Sequence, residues 1–195
     1  MAMELHYSAL DSAPVPSATV MLLRDAHDST EGLQVLLMRR HGDSAVLGGV
    51  HVFPGGKLDP LDLGSVAQHL DRDAQQLRTE LAEPELPADT AVGLYLAALR
   101  ETVEECGLLP GVALDPATLI DLRRQLAAGA SLVAILAALG MRAPTASLVP
   151  WSRWITPRLA SVTRKRFDTR FFVARAPAER PLAAVGLRDQ HPSHR

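Results

Sequence analysis

The chain has 195 residues, of which 47% are apolar and 22% charged, and its formal net charge is −2 at pH 7. This length fits one domain, or one domain with an insertion, and the weak charge gives no reason to expect a nucleic acid or a membrane surface as partner. Cys106 is the one cysteine, which excludes an intrachain disulfide and fits a reducing compartment. The N-terminal residues lack a signal-peptide pattern, so we expect a cytoplasmic protein.

The first half of the chain predicts three strands after a loose leader, residues 1–17. Residues 18–24 and 33–40 have the composition of strands, and the polar turn between them predicts an antiparallel hairpin. A shorter strand over residues 51–53 stops at a Pro-Gly-Gly sequence that contains Gly55. Glycines there let the backbone approach a metal ion or a phosphate closely.

A helical insertion and a long helix come next. The insertion covers residues 61–87 and has helical spacing; it could form a lid or a dimer contact, or it could be structural filler. Asp89 is then expected to cap a helix over residues 90–106. The apolar stripe of that helix, at 3.6-residue spacing, is predicted to consist of Val92, Leu96, Leu99 and Val103.

The second half of the chain predicts two more helices and two more strands. A helical hairpin is expected over residues 115–140, with proline in its first turn, and its longest apolar run is too short to span a bilayer. Strands are expected over residues 148–155 and 167–175, on either side of a basic loop. We therefore predict one domain over residues 18–175 and a polar tail over residues 176–195.

Three carboxylates cluster at the end of the long helix. Glu101 lies three and four residues before Glu104 and Glu105, so that all three share one face. The negative end of the helix dipole makes each of them unfavourable by roughly 0.3–1 kcal/mol, and Arg100 offsets only part of this repulsion. A bound divalent cation would compensate, since Mg²⁺ and Mn²⁺ prefer oxygen ligands.

The end of this helix also carries a resemblance to a known family. Residues 100–108 read R-E-T-V-E-E-C-G-L and resemble the second half of the Nudix box, whose pattern is G-x5-E-x7-R-E-U-x-E-E-x-G-U with U apolar. Residues 55–62 resemble the first half. The chain departs from the pattern at Asp62, where the family has Glu, and at Thr102, where the family has an apolar residue. The spacer is also longer than x7, because Asp62 and Arg100 are 38 positions apart.

The resemblance implies an α/β fold, namely a Nudix-type α/β/α sandwich with a mixed sheet, here with helical insertions. It implies that Mg²⁺ or Mn²⁺ is bound by the carboxylates of Glu101, Glu104 and Glu105 and by the carbonyl of Gly55. One of these carboxylates would also take a proton from the attacking water. Arg100 would orient the carboxylates through charge-assisted hydrogen bonds.

A second set of residues resembles one branch of the family. Residues 36–40 and 49–56 are similar to the signature of coenzyme A diphosphatases, with Ala45 where a second arginine is usual. The interrupted box is similar to that of acyl-coenzyme A diphosphatase-like proteins. The resemblance implies cleavage of the diphosphate of coenzyme A or its acyl esters, which releases adenosine 3′,5′-bisphosphate.

Four cations are candidates for substrate contacts. Arg40 and Lys57 are expected to contact the diphosphate, while Arg164 and Arg166 could bind the 3′-phosphate of coenzyme A. Two alternatives stay open. The box could hydrolyse ADP-ribose or a dinucleotide, or the fold could be a catalytically inactive binding domain. The expected partner is a small-molecule nucleoside diphosphate, and a homodimer is compatible with the sequence.

Overall fold

A computed structural model describes residues 12–26, 32–39, 49–64, 67–158 and 166–176. Within these ranges the strands are β1 Val15–Asp25, β2 Leu33–Val35, β3 Met38–Arg39, β4 His51–Val52, β5 Gly55–Lys57, β6 Val149–Ile155 and β7 Phe167–Arg175. The α-helices are α1 Ala74–Glu80, α2 Ala88–Cys106, α3 Pro116–Ala127 and α4 Leu132–Ala138. None of the described helices is both long and apolar enough to cross a membrane.

Strand β1 lies at the centre of a five-stranded mixed sheet. β7 pairs with β1 in parallel, and β6 adds to the far side of β7 in antiparallel orientation. β2 and β5 both pair antiparallel with the other side of β1, at different places along it. β3 and β4 form a separate two-stranded sheet. The predicted α/β fold with a mixed sheet is therefore confirmed, and so is the hairpin between the first two strands.

The core lies between helix α2 and one face of the sheet. Alternate residues of β1 and β7, among them Val20 and Phe172, are fully buried on this face. The ring of Tyr95 on α2 lies 4.8 Å from the ring of Phe172. The predicted apolar stripe of α2 is confirmed, because all four of its members are buried. Burial of each such side chain is worth roughly 1.5–3 kcal/mol, which holds α2 firmly on the sheet.

Two strand predictions differ from the structure. β1 begins at Val15, inside the predicted leader, and ends at Asp25. The strand predicted over residues 33–40 is wrong as a single element, because β2 pairs with β1 whereas β3 pairs with β4 in another sheet. The domain boundaries themselves stay predictions.

The insertion is less helical than predicted. It begins with a short 3-10 turn, Pro60–Asp62, in which Asp59 and Asp62 cap each other's backbone. A second 3-10 turn follows at Ala67–His69, and α1 is the first α-helix. Leu70 and Leu77 are buried, and only Ala74–Glu80 of the stretch with helical spacing is an α-helix.

The starts of the later helices are only partly as predicted. The capping role of Asp89 is wrong: α2 begins at Ala88 after Pro87, and Asp89 lies in the first turn, where its charge suits the positive end of the helix dipole. Both helices of the predicted hairpin are present. The Asp115 carboxylate accepts hydrogen bonds from two backbone N–H groups of α3, and the Ser131 hydroxyl accepts one from α4.

A partly buried ion-pair cluster ties the insertion to the sheet. Arg170 of β7 donates two hydrogen bonds to Glu83, of 2.9 and 2.6 Å, in the segment before α2. Arg153 of β6 pairs with both Glu83 and Asp168. Burial alone would raise the pKa of Asp168, but its pairing with Arg153 and Arg170 outweighs this and holds the pKa below its usual value. The cluster therefore fixes the far end of the insertion.

Candidate active site

Arg100 is the centre of a cluster of carboxylates near the end of α2. Its Nε and Nη2 atoms donate to the two oxygens of Asp62, both at 2.9 Å. Nη1 donates to Glu101 Oε1 at 2.8 Å and to Glu104 Oε2 at 3.1 Å. Nη2 also donates to the carbonyl of Lys57 at 3.0 Å. One guanidinium thus joins two carboxylates of α2 to Lys57 of β5 and to Asp62 at the start of the insertion.

Asp62 occupies the place of the acid in the first half of the Nudix box. Its side chain is only 2% exposed and forms a two-point pair with Arg100. Asp62 Oδ2 also accepts a hydrogen bond from the backbone N–H of Asp59 at 2.9 Å. The structure therefore brings the two halves of the motif together across the whole insertion, and the shorter side chain of Asp still reaches Arg100.

Gly93 on α2 lets this contact form, and the sequence analysis missed it. A Cβ atom at Gly93 would lie 2.8 Å from Leu58, 2.9 Å from Leu63 and 3.2 Å from the carbonyl of Asp62. A larger residue would push the Asp62 segment away from the helix. The sequence feature that could have indicated Gly93 is its place inside a helix, where glycine lowers helix stability by up to about 1 kcal/mol relative to alanine.

The two glycines of β5 face different neighbours. A Cβ atom at Gly55 would lie 2.6 Å from Thr19 Oγ1 and 2.8 Å from Thr19 Cα, so glycine allows β5 to pair with β1. A Cβ atom at Gly56 would overlap the Glu101 carboxylate. The pair of glycines therefore brings both the sheet and the acidic helix into contact with β5.

The outer edge of β5 supplies backbone groups to the site. Val20 N–H donates to Pro54 and Leu58 N–H donates to Pro16, both at 2.9 Å, so in the antiparallel pattern the N–H and C=O of Gly55 point away from β1. The Gly55 N–H donates to Glu105 Oε2 at 2.9 Å. The carbonyl of Gly55 therefore lies on the edge of β5 that faces the end of α2.

Replacement of Gly56 tests this close packing. Gly56→Ala should lower the free energy of unfolding by about 1–3 kcal/mol, because the added methyl group meets the Glu101 carboxylate. Urea unfolding would measure the loss. A double variant that also carries Glu101→Asp should regain part of the stability, since the shorter side chain makes room. Equal stability of Gly56→Ala and the wild type would contradict this account.

The electrostatics of the cluster favour a cation. Burial raises the pKa of the Glu101 and Glu104 carboxyls, and the charge of Arg100 only partly opposes this rise. Burial by itself would lower the pKa of Arg100, but Asp62, Glu101 and Glu104 outweigh it and raise the pKa, so the guanidinium stays protonated. Three carboxylates therefore share one guanidinium, which leaves an excess of negative charge.

The oxygen atoms available in this cluster are of the chemical type that binds a hard divalent cation. Carboxylates and a backbone carbonyl are the oxygen ligands that Mg²⁺ and Mn²⁺ prefer. Within the described ranges, however, no group of three or more His, Cys, Asp or Glu side chains is arranged so that it could hold a metal ion as it stands. Glu101 and Glu104 are turned to Arg100, and Glu105 is turned to Gly55 N–H.

The remaining predicted contact residues are placed differently. Strand alternation puts the Lys57 side chain on the face of β5 opposite to Gly56, and its carbonyl accepts from Arg100. Arg166 is only 9% exposed and donates to the carbonyls of Thr156 and Ser12, at 3.0 and 3.1 Å. Arg40 and Arg164 lie outside the described residues. The substrate roles of all four stay predictions.

Cys106 lies beside the cluster without the properties of a nucleophile. Burial raises the pKa of its thiol to about 12, and the thiol donates to Met38 Sδ at 3.3 Å. A neutral thiol at physiological pH is a packing group, because the thiolate is the reactive form.

The chain is similar to proteins of one family. The family model of the NUDT19 Nudix domain matches residues 66–185. The human (Homo sapiens) protein named acyl-coenzyme A diphosphatase NUDT19 is 32% identical, over 73% of this chain and 48% of its own length. The chain thus spans about half the length of that curated relative.

A crystal structure of a Nudix hydrolase from Alicyclobacillus acidocaldarius matches 85% of this chain and 71% of its own, with a TM-score of 0.60 and 29% identity. This chain belongs to the NUDT19 Nudix domain family.

Proposed function

We propose that this protein hydrolyses the diphosphate linkage of a nucleoside diphosphate derivative, with coenzyme A or an acyl-coenzyme A as the preferred substrate. The observation that carries the proposal is the Arg100 cluster, in which Asp62, Glu101 and Glu104 share one guanidinium at the edge of β5. The name of the human relative supports the choice of acyl-coenzyme A.

Members of the Nudix family generally use divalent metal ions, and the residues of this site would hold Mg²⁺ or Mn²⁺. The ligands would be the carboxylates of Glu101, Glu104 and Glu105 and the carbonyl of Gly55. The ion supplies neutralisation of the diphosphate charge and a more acidic water. One of the three carboxylates would accept the proton of that water.

The protein's own groups would keep these ligands in position. Arg100 holds Glu101 and Glu104 on one side of the helix, and Asp62 fixes Arg100 through its two-point pair. The Gly55 N–H holds Glu105 against the strand. These carboxylates would have to turn from Arg100 and Gly55 N–H toward the ion. Holding them close together matters because hydrolysis of a diphosphate needs positioning and charge neutralisation more than a covalent nucleophile.

A substrate panel tests the proposal. The full chain with Mg²⁺ or Mn²⁺ should release adenosine 3′,5′-bisphosphate from coenzyme A and from acetyl-coenzyme A, which chromatography of the products would detect. Turnover of ADP-ribose or a diadenosine polyphosphate alone would keep the reaction and overturn the substrate. A complete lack of metal-dependent turnover would favour a binding domain. The homodimer and the cytoplasmic location stay predictions.

A further inference from the structure

Two carboxylates of the site lie in the last turn of α2, where the backbone has few hydrogen bonds to fix it. Glu104 and Glu105 belong to the last turn of the helix, whose carbonyls have no partner within the helix. Gly107, with a φ angle of 62°, ends the helix, and its N–H donates to the carbonyl of Val103 at 2.9 Å. The next carbonyl in the turn belongs to Glu104.

Arg123 of α3 contacts that carbonyl. Its Nη2 atom donates to Glu104 O at 2.7 Å, which brings a positive charge to the negative end of the α2 dipole. Arg100 holds the side chain of Glu104, so the two arginines hold the side chain and the backbone of the same residue.

Helix α3 is well anchored for this contact. Leu119, Leu122 and Leu126 are buried on one side of it. A Cβ atom at Gly107 would lie 3.7 Å from Leu119 Cδ2 and 3.8 Å from Arg123 Nη1, so α3 packs directly against the end of α2. Arg123 therefore extends from a helix whose position is fixed by packing, and not from a loop.

We propose that Arg123 is a positioning residue of the active site: it fixes the last turn of α2 and thereby the carboxylates of Glu104 and Glu105. The helical hairpin that carries Arg123 thus has a role in the reaction, beyond that of a structural cap. The inference rests on the proposed function in that these carboxylates are taken to hold the metal ion.

Two physical effects of Arg123 have opposite signs, which makes the inference testable. As a nearby positive charge, Arg123 would weaken the binding of a cation, so its removal would tighten binding. As a positioning residue, it keeps two carboxylates in place, so its removal should weaken binding. Loss of a group that orients metal ligands typically costs roughly 10- to 100-fold in affinity or activity.

The test compares Arg123→Ala with Arg124→Ala. Arg124 is the next residue on the same helix, has a 77% exposed side chain and pairs with Asp121, so it controls for a lost surface arginine. Thermal unfolding at increasing Mn²⁺ concentration would give the midpoint for metal stabilisation. In Arg123→Ala this midpoint should rise roughly 10-fold and kcat should fall similarly with KM little changed, whereas Arg124→Ala should match the wild type.

Two further substitutions separate charge from hydrogen bonding. Arg123→Lys keeps the charge and a donor and should restore most of the Mn²⁺ response, while Arg123→Gln keeps a donor alone and should restore less. These milder variants also give the answer if Arg123→Ala does not fold. A Mn²⁺ midpoint that is unchanged or lower in Arg123→Ala and Arg123→Gln would overturn the inference, and so would a wild-type protein with no Mn²⁺ response.

The same data distinguish this inference from the proposed function. If the wild type hydrolyses no substrate of the panel but Arg123→Ala still weakens the Mn²⁺ response, the proposed function fails and the positioning role holds. If the wild type hydrolyses coenzyme A and Arg123→Ala equals it in kcat and in Mn²⁺ midpoint, the function holds and the positioning role fails.

Discussion

If the protein is the proposed diphosphatase, the Glu105→Gln variant should hydrolyse acyl-coenzyme A roughly 10²- to 10⁴-fold more slowly than the wild type, while its stability without metal stays close to that of the wild type. The amide oxygen of glutamine can still accept the hydrogen bond from Gly55 N–H, which is 2.9 Å long in the wild type. The substitution keeps the size of the side chain and removes its charge. Steady-state kinetics with Mg²⁺ or Mn²⁺ and thermal unfolding without metal would measure the two effects.

Glu85→Gln is the matched control for this experiment. Glu85 is exposed in the segment before α2, and the same loss of one negative charge there should leave kcat unchanged. Wild-type turnover by Glu105→Gln would mean that the Glu105 carboxylate is neither a metal ligand nor a proton acceptor in the reaction.

Removal of the Arg100 guanidinium should have the largest effect on stability. Arg100→Met would leave Asp62, whose side chain is 2% exposed, without its ion-pair partner. Breaking a buried pair on one side typically costs about 3–5 kcal/mol, because an uncompensated charge stays buried. The expected result is a loss of this size in the free energy of unfolding, measured in urea without metal.

Two comparisons make the Arg100 result specific. Arg124→Ala, at an exposed ion pair, should change stability by less than about 0.5 kcal/mol. Adding Asp62→Leu to Arg100→Met removes the second charge and should restore part of the loss. Arg100→Met with wild-type stability would show that the pair does not hold the two segments together.

Elements with local signals could be predicted from the sequence. Helix α2 follows from its apolar period, and α3 follows from Asp115 and Pro116, which mark a helix start within a few residues. The stretch of residues 33–40 could not be resolved in this way. Its division into β2 and β3 depends on which distant strand each part pairs with, and local composition does not contain that information.

In the candidate site, too, some features follow from local sequence and others depend on contacts between distant parts of the chain. Helical spacing alone places Glu101, Glu104 and Glu105 on one face, and the two glycines of β5 signal a close backbone approach. The pairing of Asp62 with Arg100 depends on how the insertion folds. The contact between Arg123 and Glu104 depends on how α3 packs, so no sequence pattern predicts it.

The spacer between Asp62 and Arg100 has a modest energetic consequence. The entropy lost on closing a loop grows only with the logarithm of its length, by about 0.6 kcal/mol for each doubling. Lengthening a seven-residue spacer about fivefold therefore costs on the order of 1.5 kcal/mol, which the burial of one side chain of the insertion, such as Leu77, can offset. The chemistry of the motif is therefore set by where the ends of the spacer are held, and chain length between them can vary at little thermodynamic cost.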